Sequence, residues 1–373
     1  MVGAGPAAHG AVTGLRQAGF AGEVVVLGRE ANPPYDRPAL SKRYLLGGVD
    51  SKQLGLPALE AELRLGVEVT RLDPEDRCVR LDGGGRLRYA QLLLATGARS
   101  RSLPGYDSSL HLRELPDADR LGRLLAERGR LDIIGAGFIG CEVAAAARAW
   151  GVAVTVHEQL AQPLLRVLGP ELGEWLGRVH REHGVDLRTG VSRLPPTGRT
   201  TLVAVGSQPN VELAQDAGIE SDGGVVVDEL GRTSAPDVYA AGDCARFWSP
   251  LFQAFVRVEH FQTASRHGWA VGRTMAGDPR PFAEAPWFWS DQYTLNLQYT
   301  GAGLQWDERV VRGRLGEPPF TVFFLHAGRL RAALAANDGR TLSRARRLLE
   351  LGVHPSSEEL ADPAFDLRRA ARR

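Results

Sequence analysis

Two short glycine patterns constrain this chain more than anything else in it: Gly3-Ala4-Gly5-Pro6-Ala7-Ala8 and Gly135-Ala136-Gly137-Phe138-Ile139-Gly140. Each stands ahead of a helical run and then a strand. In such a pattern the first glycine allows a tight turn, the second lets the backbone approach a pyrophosphate, and the third lets helix pack on strand. The helix N-terminus then faces the phosphates. One pattern alone is weak evidence, because a strand–helix corner uses glycine for its own reasons. Two suggest a protein that holds two dinucleotides, whose natural use is passing a hydride from a nicotinamide to a flavin.

The second pattern is the more complete. Gly135, Gly137 and Gly140 take the three glycine places, with Phe138 and Ile139 between. Glu158 ends the next strand, where a carboxylate hydrogen-bonds a ribose 2′-OH. No arginine immediately follows Glu158, so NADH is expected over NADPH. In the first pattern Gly3, Gly5 and Pro6 are followed by Ala8 in the third place. Only Met1 and Val2 precede it, so the true start is expected several residues upstream. The acidic residue after the second strand is displaced, in the run Gly28-Arg29-Glu30. Two roles stay open there: Glu30 reaching the ribose, or Arg29 lying against the adenine.

Composition excludes several classes. Of the 373 residues 43% are hydrophobic and 24% charged, and the net charge is +1, an ordinary globular balance with room for two or three domains. There is no global field to draw nucleic acid or an anionic membrane, and no apolar run of the roughly 20 residues that a membrane helix needs. No signal sequence is expected from the opening residues. Cys78, Cys141 and Cys244 are odd in number and far apart, which fits a reducing cytoplasm, and no metal site is expected. Almost all basic residues are Arg; the lysines are Lys42 and Lys52. Lysine offers a compact, mobile charge with a tunable pKa.

Periodicity predicts helices over 6–18, 116–128, 141–150, 170–183 and 340–351. It predicts strands at 23–27, 67–72, 78–81, 92–94, 131–134, 152–156, 202–205, 225–227, 238–241, 310–312, 320–326 and 330–335. The fold class expected is α/β: two doubly wound Rossmann-like dinucleotide-binding domains, followed by a C-terminal α+β domain. The FAD-binding domain is expected to occupy 1–112 and 230–285, with an NAD-binding domain inserted at 113–229. The C-terminal domain takes 286–373 and closes on a solvated arginine tail (Arg368, Arg369, Arg372, Arg373).

Longer motifs carry a resemblance. Pro34-Tyr35-Asp36-Arg37-Pro38-Ala39-Leu40-Ser41-Lys42 closely resembles the PYDRPPLSK segment of FAD-dependent ferredoxin and rubredoxin reductases. That family includes the reductases of bacterial cytochrome P450 and Rieske dioxygenase systems. Leu92–Ala98 resembles its ATG turn (Ala95, Thr96, Gly97), and Leu112-Arg113 with Asp117-Ala118 its entry to the NAD domain. Ser234–Ala245 is similar to its second FAD motif, Glu259-His260-Phe261 to its EHW segment, and Pro286–Gln292 to the signature opening its C-terminal domain.

The resemblance implies roles. Gly242 and Asp243 would bind FAD near its ribityl or pyrophosphate region, and Arg37 its phosphates. Lys42 would sit near flavin N5, paired with Glu142, and these two would be the catalytic residues. Glu259 and Trp289 would border the isoalloxazine and nicotinamide, beside His260 and Phe261. Gly206 completes the cofactor-binding set. The implied activity is NADH-dependent reduction of an iron–sulfur ferredoxin, acidic if it docks on arginine patches. Two alternatives remain: an NADH oxidase reducing oxygen or a small acceptor, and a flavoprotein with decayed catalysis that acts by binding. The redox CxxxxC of disulfide reductases is absent, so electrons must leave the flavin directly. The chain departs from the pattern at Phe261, where Trp is common. It departs again in the short Pro-Pro-Thr-Gly turn at 195–198, a trimming that would loosen NADH binding.

Overall fold

A computed structural model describes residues 1–196 and 200–372, so the end of the Pro-Pro-Thr-Gly turn and Arg373 lie outside the described residues. The first sheet is parallel. Glu62–Leu65 pairs with Val25–Gly28, and Leu92–Leu94 pairs with Val238–Ala240. Val2 bridges both Leu27 and Leu94, so two residues stand where a full first strand is usual and still join the two halves. The return of 238–240 to this sheet makes the second unit an insertion. That unit is a four-stranded parallel sheet, in the order Asp186–Arg188, Ala153–His157, Arg130–Ile134, Thr201–Val203. A two-stranded antiparallel ribbon, Ala98–Ser100 with Ser207–Pro209, ties the chain's exit from the first sheet to its way back.

Helix Pro6–Gln17 follows the first fingerprint, with Gly5 at its N-cap and Pro6 at its first position. It crosses helix Phe261–Met275 at a distance only glycine permits. A Cβ on Gly268 would lie 1.9 Å from the Ala7 carbonyl oxygen, and one on Gly10 2.0 Å from that of Ser265. Sequence periodicity missed the second helix because its contact face is small rather than apolar: Ala264, Gly268, Gly272. Helix Phe138–Ala149 is buried on almost every side, from Gly140 through Ala147, as its run of alanines predicts.

The C-terminal sheet is antiparallel, ordered Trp287–Gln292, Leu295–Gly301, Arg329–Ala336, Glu317–His326, Glu308–Arg314. Both faces are covered, which explains its continuous apolar runs. Phe320, Val322 and Phe324 pack with Leu168, Leu172, Trp175 and Leu176 of the second unit. Phe323 and Leu325 face helix Gly339–Leu351 through Leu342, Ala345 and Leu348. The described arginines of the tail, Arg368, Arg369 and Arg372, are exposed, while Leu360, Leu367 and Ala370 beside them are buried against that helix. Among the described residues no helix is long and apolar enough to cross a membrane.

His180 and His267 are buried without charge. His180 bridges units, its Nε2 3.0 Å from Gln292 Oε1 and its Nδ1 2.9 Å from the Tyr293 hydroxyl. His267 stacks on Phe282 at 5.0 Å. Burial lowers their pKa values to about 4 and about 3.

Two outcomes follow for stability. Replacing Gly268 with Ala forces the helices apart and costs about 1–3 kcal/mol, read as a lower urea midpoint with an unchanged m-value. Both histidines stay neutral in the fold but bind protons when unfolded. Stability is therefore full above pH about 6.5 and falls as pH drops toward 4. Each histidine costs about 2 kcal/mol at pH 5. Denaturation midpoints between pH 7.5 and 5 check this, and His267→Phe flattens the slope.

Candidate active site at the junction of two dinucleotide cradles

Lys42 is placed by a rigid turn. Pro38 opens the short 3-10 helix Arg37–Ser41, and Lys42 leaves it. The segment is not held by its own unit alone. Tyr35, Leu40, Leu45 and Leu54 lie in the core of the inserted unit, with Leu121, Leu131 and Val143. The Tyr44 hydroxyl donates to Asp119, and Trp150 Nε1 donates to the Leu45 carbonyl at 2.9 Å. This packing delivers Lys42 Nζ to within 2.9 Å of Glu142 Oε2. Glu142, on the second-fingerprint helix, is 2% exposed, and Ser41 also donates to its Oε2.

Both fingerprints open onto one cavity of about 1210 Å³, lined by Gly3, Gly5 and Pro6 at one end and Gly137, Phe138 and Ile139 at the other. Lys42 and Glu142 line it between them. The residues present fit two dinucleotides. A Cβ on Gly5 would meet nothing within 4 Å, nor would one on Gly206, so both glycines border open space. Neither fingerprint helix carries an acidic residue in its first turn or a side-chain cap. Their first N–H groups are left for an anion.

The remaining wall comes from the returning first unit and the C-terminal sheet. Arg113 bonds Asp243 at 2.8 Å. Glu259 accepts from Ser207 and Arg257. Burial pushes its pKa up, but those two donors outweigh burial and hold it below the usual carboxylate value. His260 is lowered to about 4 by burial, so it is neutral at pH 7, and its buried Nδ1 has no partner in the protein. Phe288 is where the three units meet: its ring lies 4.7 Å from Phe138 and 4.3 Å from His260. Lys42 Nζ lies 5.8 Å from the Trp289 ring, which stacks on Trp287.

Ala95, Thr96, Gly97, Arg29, Glu30, Arg37, Gly206, Asp243, Glu259, His260, Phe261 and Trp289 all line this cavity. Glu30 already accepts from Arg37 at 2.6 Å and from the Tyr35 hydroxyl at 2.7 Å, while Arg29 pairs with Glu114. Five expected residues do not line it. Gly135, Gly140 and Gly242 serve close packing: a Cβ there would lie 2.4 Å from Ala204 O, 2.1 Å from Gly135 O and 2.8 Å from Ala7 Cβ. Ala8 is fully buried beneath its helix. Glu158 braces the fingerprint turn, accepting from Ala136 N at 2.7 Å and Leu160 N at 2.8 Å. Reading the sequence missed Ser41, Ser207, Asn210 and Arg257. Asn210 clasps the ATG turn, with Nδ2 2.8 Å from Thr96 O and its N–H 2.9 Å from Gly97 O. Ser41 stood inside a quoted motif, but the other three had no sequence signal. All three cysteines are buried and free, and burial pushes the Cys141 and Cys244 thiols up.

Residues 1–194 and 197–268 match the pyridine nucleotide-disulphide oxidoreductase family, and 287–371 match the reductase C-terminal family. This chain belongs to the pyridine nucleotide-disulphide oxidoreductases. FAD and NAD(H) are its cofactors. Among family members, the ferredoxin–NAD(+) reductase component of the anthranilate 1,2-dioxygenase system of Burkholderia cepacia is 38% identical, over 99% of this chain and 98% of its own. Putidaredoxin reductase CamA of Pseudomonas putida is 34% identical, over 95% and 93%. The crystal structure of the covalent putidaredoxin reductase–putidaredoxin complex matches with a TM-score of 0.95 at 32% identity, covering 100% of this chain and 97% of that one.

Breaking the central ion pair on one side strands a buried carboxylate. Lys42→Met is expected to lower stability by about 3 kcal/mol, and Lys42→Met with Glu142→Met to recover most of it. Denaturant titration of both variants reads the difference.

Proposed function

We propose that this chain is an NADH-dependent, FAD-containing ferredoxin reductase. Its client is a small iron–sulfur ferredoxin serving a cytochrome P450 or a Rieske oxygenase, and it acts in the cytoplasm. One observation carries the reading. Two dinucleotide cradles open onto a single cavity with Lys42 and Glu142 between them, and no cysteine pair lies along it. The relatives support the client: one is named for a dioxygenase system, and one structure holds putidaredoxin reductase joined covalently to putidaredoxin. The chain is best divided at 113, 230 and 286, so that 1–112 and 230–285 form the FAD-binding domain, 113–229 the NAD-binding domain and 286–373 the reductase C-terminal domain.

When bound, FAD supplies the redox chemistry, taking a hydride from NADH and releasing electrons singly. The residues supply placement and charge. Lys42 brings a positive charge into the cavity, where growing negative charge is stabilised most strongly away from water. Glu142 keeps that ammonium in position. The low pKa of His260 keeps the imidazole neutral at working pH, so it adds no second cation. Phe138 and Phe288, edge to face, line the junction with apolar surface.

Anaerobic titration of the holoprotein with NADH tests this. The flavin absorbance should bleach at one equivalent, and an oxidised ferredoxin should restore it faster than air does. Faster recovery in air than with any ferredoxin would favour the oxidase, and a protein that binds no FAD would sink the catalytic reading.

A further inference from the structure

Two neighbouring residues of one turn converge on a single carboxylate oxygen. Lys42 Nζ lies 2.9 Å from Glu142 Oε2, and the Ser41 hydroxyl donates to that same atom. Ser41 is 3% exposed. The other acceptor within its reach, the Pro38 carbonyl, is 3.4 Å away, at the limit of a hydrogen bond. A hydroxyl has one proton, and a charged acceptor holds it more strongly than a distant carbonyl. Among the described residues no donor is bonded to Oε1, and Glu142 lines the cavity.

Lysine alone cannot produce this asymmetry. The terminal torsion of a glutamate is broad and nearly two-fold, so its oxygens exchange easily. An ammonium on a flexible stem is a point charge that follows either oxygen. Ser41 has a short side chain on a turn stiffened by Pro38, so its hydroxyl reaches far fewer positions than a lysine ammonium does. We infer that Ser41 is a positioning residue: its hydroxyl pins Oε2 against Lys42 and leaves Oε1 presented to a nicotinamide dinucleotide in the cavity. The inference rests on the reductase reading above.

The test uses FAD-loaded protein and a double-mutant cycle: wild type, Ser41→Ala, Glu142→Ala and the pair together, with Ser41→Thr as the conservative variant. Two quantities are read. One is the rate of flavin bleaching at saturating NADH. The other is the equilibrium affinity of the oxidised protein for NAD+, which needs no turnover. Ser41→Ala should slow bleaching about tenfold and weaken NAD+ about threefold, the size expected for losing part of a hydrogen bond to a charged group. Ser41→Thr should restore both to within about twofold. In the Glu142→Ala background Ser41→Ala should change neither. The inference is overturned if Ser41→Ala matches wild type, or if it costs as much without Glu142 as with it. Should Ser41→Ala lose its flavin, Ser41→Cys carries the same comparison with a near-isosteric, weaker donor. Wild type that NADH does not bleach refutes the reductase reading itself, whereas normal wild type beside an unaffected Ser41→Ala refutes only the role of Ser41.

Discussion

A carboxylate taken out of water costs several kcal/mol unless donors surround it. Glu142 is such a carboxylate, 2% exposed on a helix whose other buried residues are glycine, cysteine, valine and alanine. Among the described residues its own unit gives its carboxylate no donor; both come from Ser41 and Lys42 in the other unit. The inserted unit therefore does not satisfy its interior until the segment around residues 35–54 is laid across it. The apolar contacts of Leu40, Leu45 and Leu54 and the bonds at Tyr44 and Trp150 hold that segment in place. The relative placement of the two cradles, on which any transfer between their ligands depends, thus follows from satisfying one buried charge.

The C-terminal sheet is the third support. It is wedged between its own helix and the helices of the inserted unit, with Trp175 meeting Phe320 edge to face at 5.1 Å. Its first strand reaches the cavity and brings Trp287, Phe288 and Trp289 there together. Aromatic bodies are suited to such a place, because they exclude water while tolerating a flat ligand against their faces. The wall of the site is therefore built from segments far apart in sequence, and no single unit contains it.

What could be read from the sequence divides along physical lines. The fingerprints, the parallel strands and the nested order were legible because each rests on local pattern: glycine spacing, apolar runs, and a return to the first sheet at 238–240. The family motifs brought most cavity-lining residues with them. What stayed hidden depends on contacts between distant segments. Helix Phe261–Met275 looked unpromising because its partner requires glycine where a helix usually shows leucine. Asn210 and Ser207 find their partners 114 and 52 residues away. Glu158 sat where a ribose ligand is expected, but which hydrogen bonds its carboxylate makes depends on the backbone N–H groups that the fold places beside it.

The glycine-notched crossing of Pro6–Gln17 with Phe261–Met275 has a consequence for how the polypeptide is made. The first fingerprint helix emerges from the ribosome before the surface it rests on, which belongs to a helix beyond the inserted unit. Throughout the intervening synthesis its small-residue face has nothing to lie against, while the inserted unit, continuous in sequence, already has all its strands. Closing so long a loop is slow, and an uncovered early element is exposed to wrong partners in the meantime. In a growing chain the inserted unit would have its strands before the first fingerprint helix meets its partner helix.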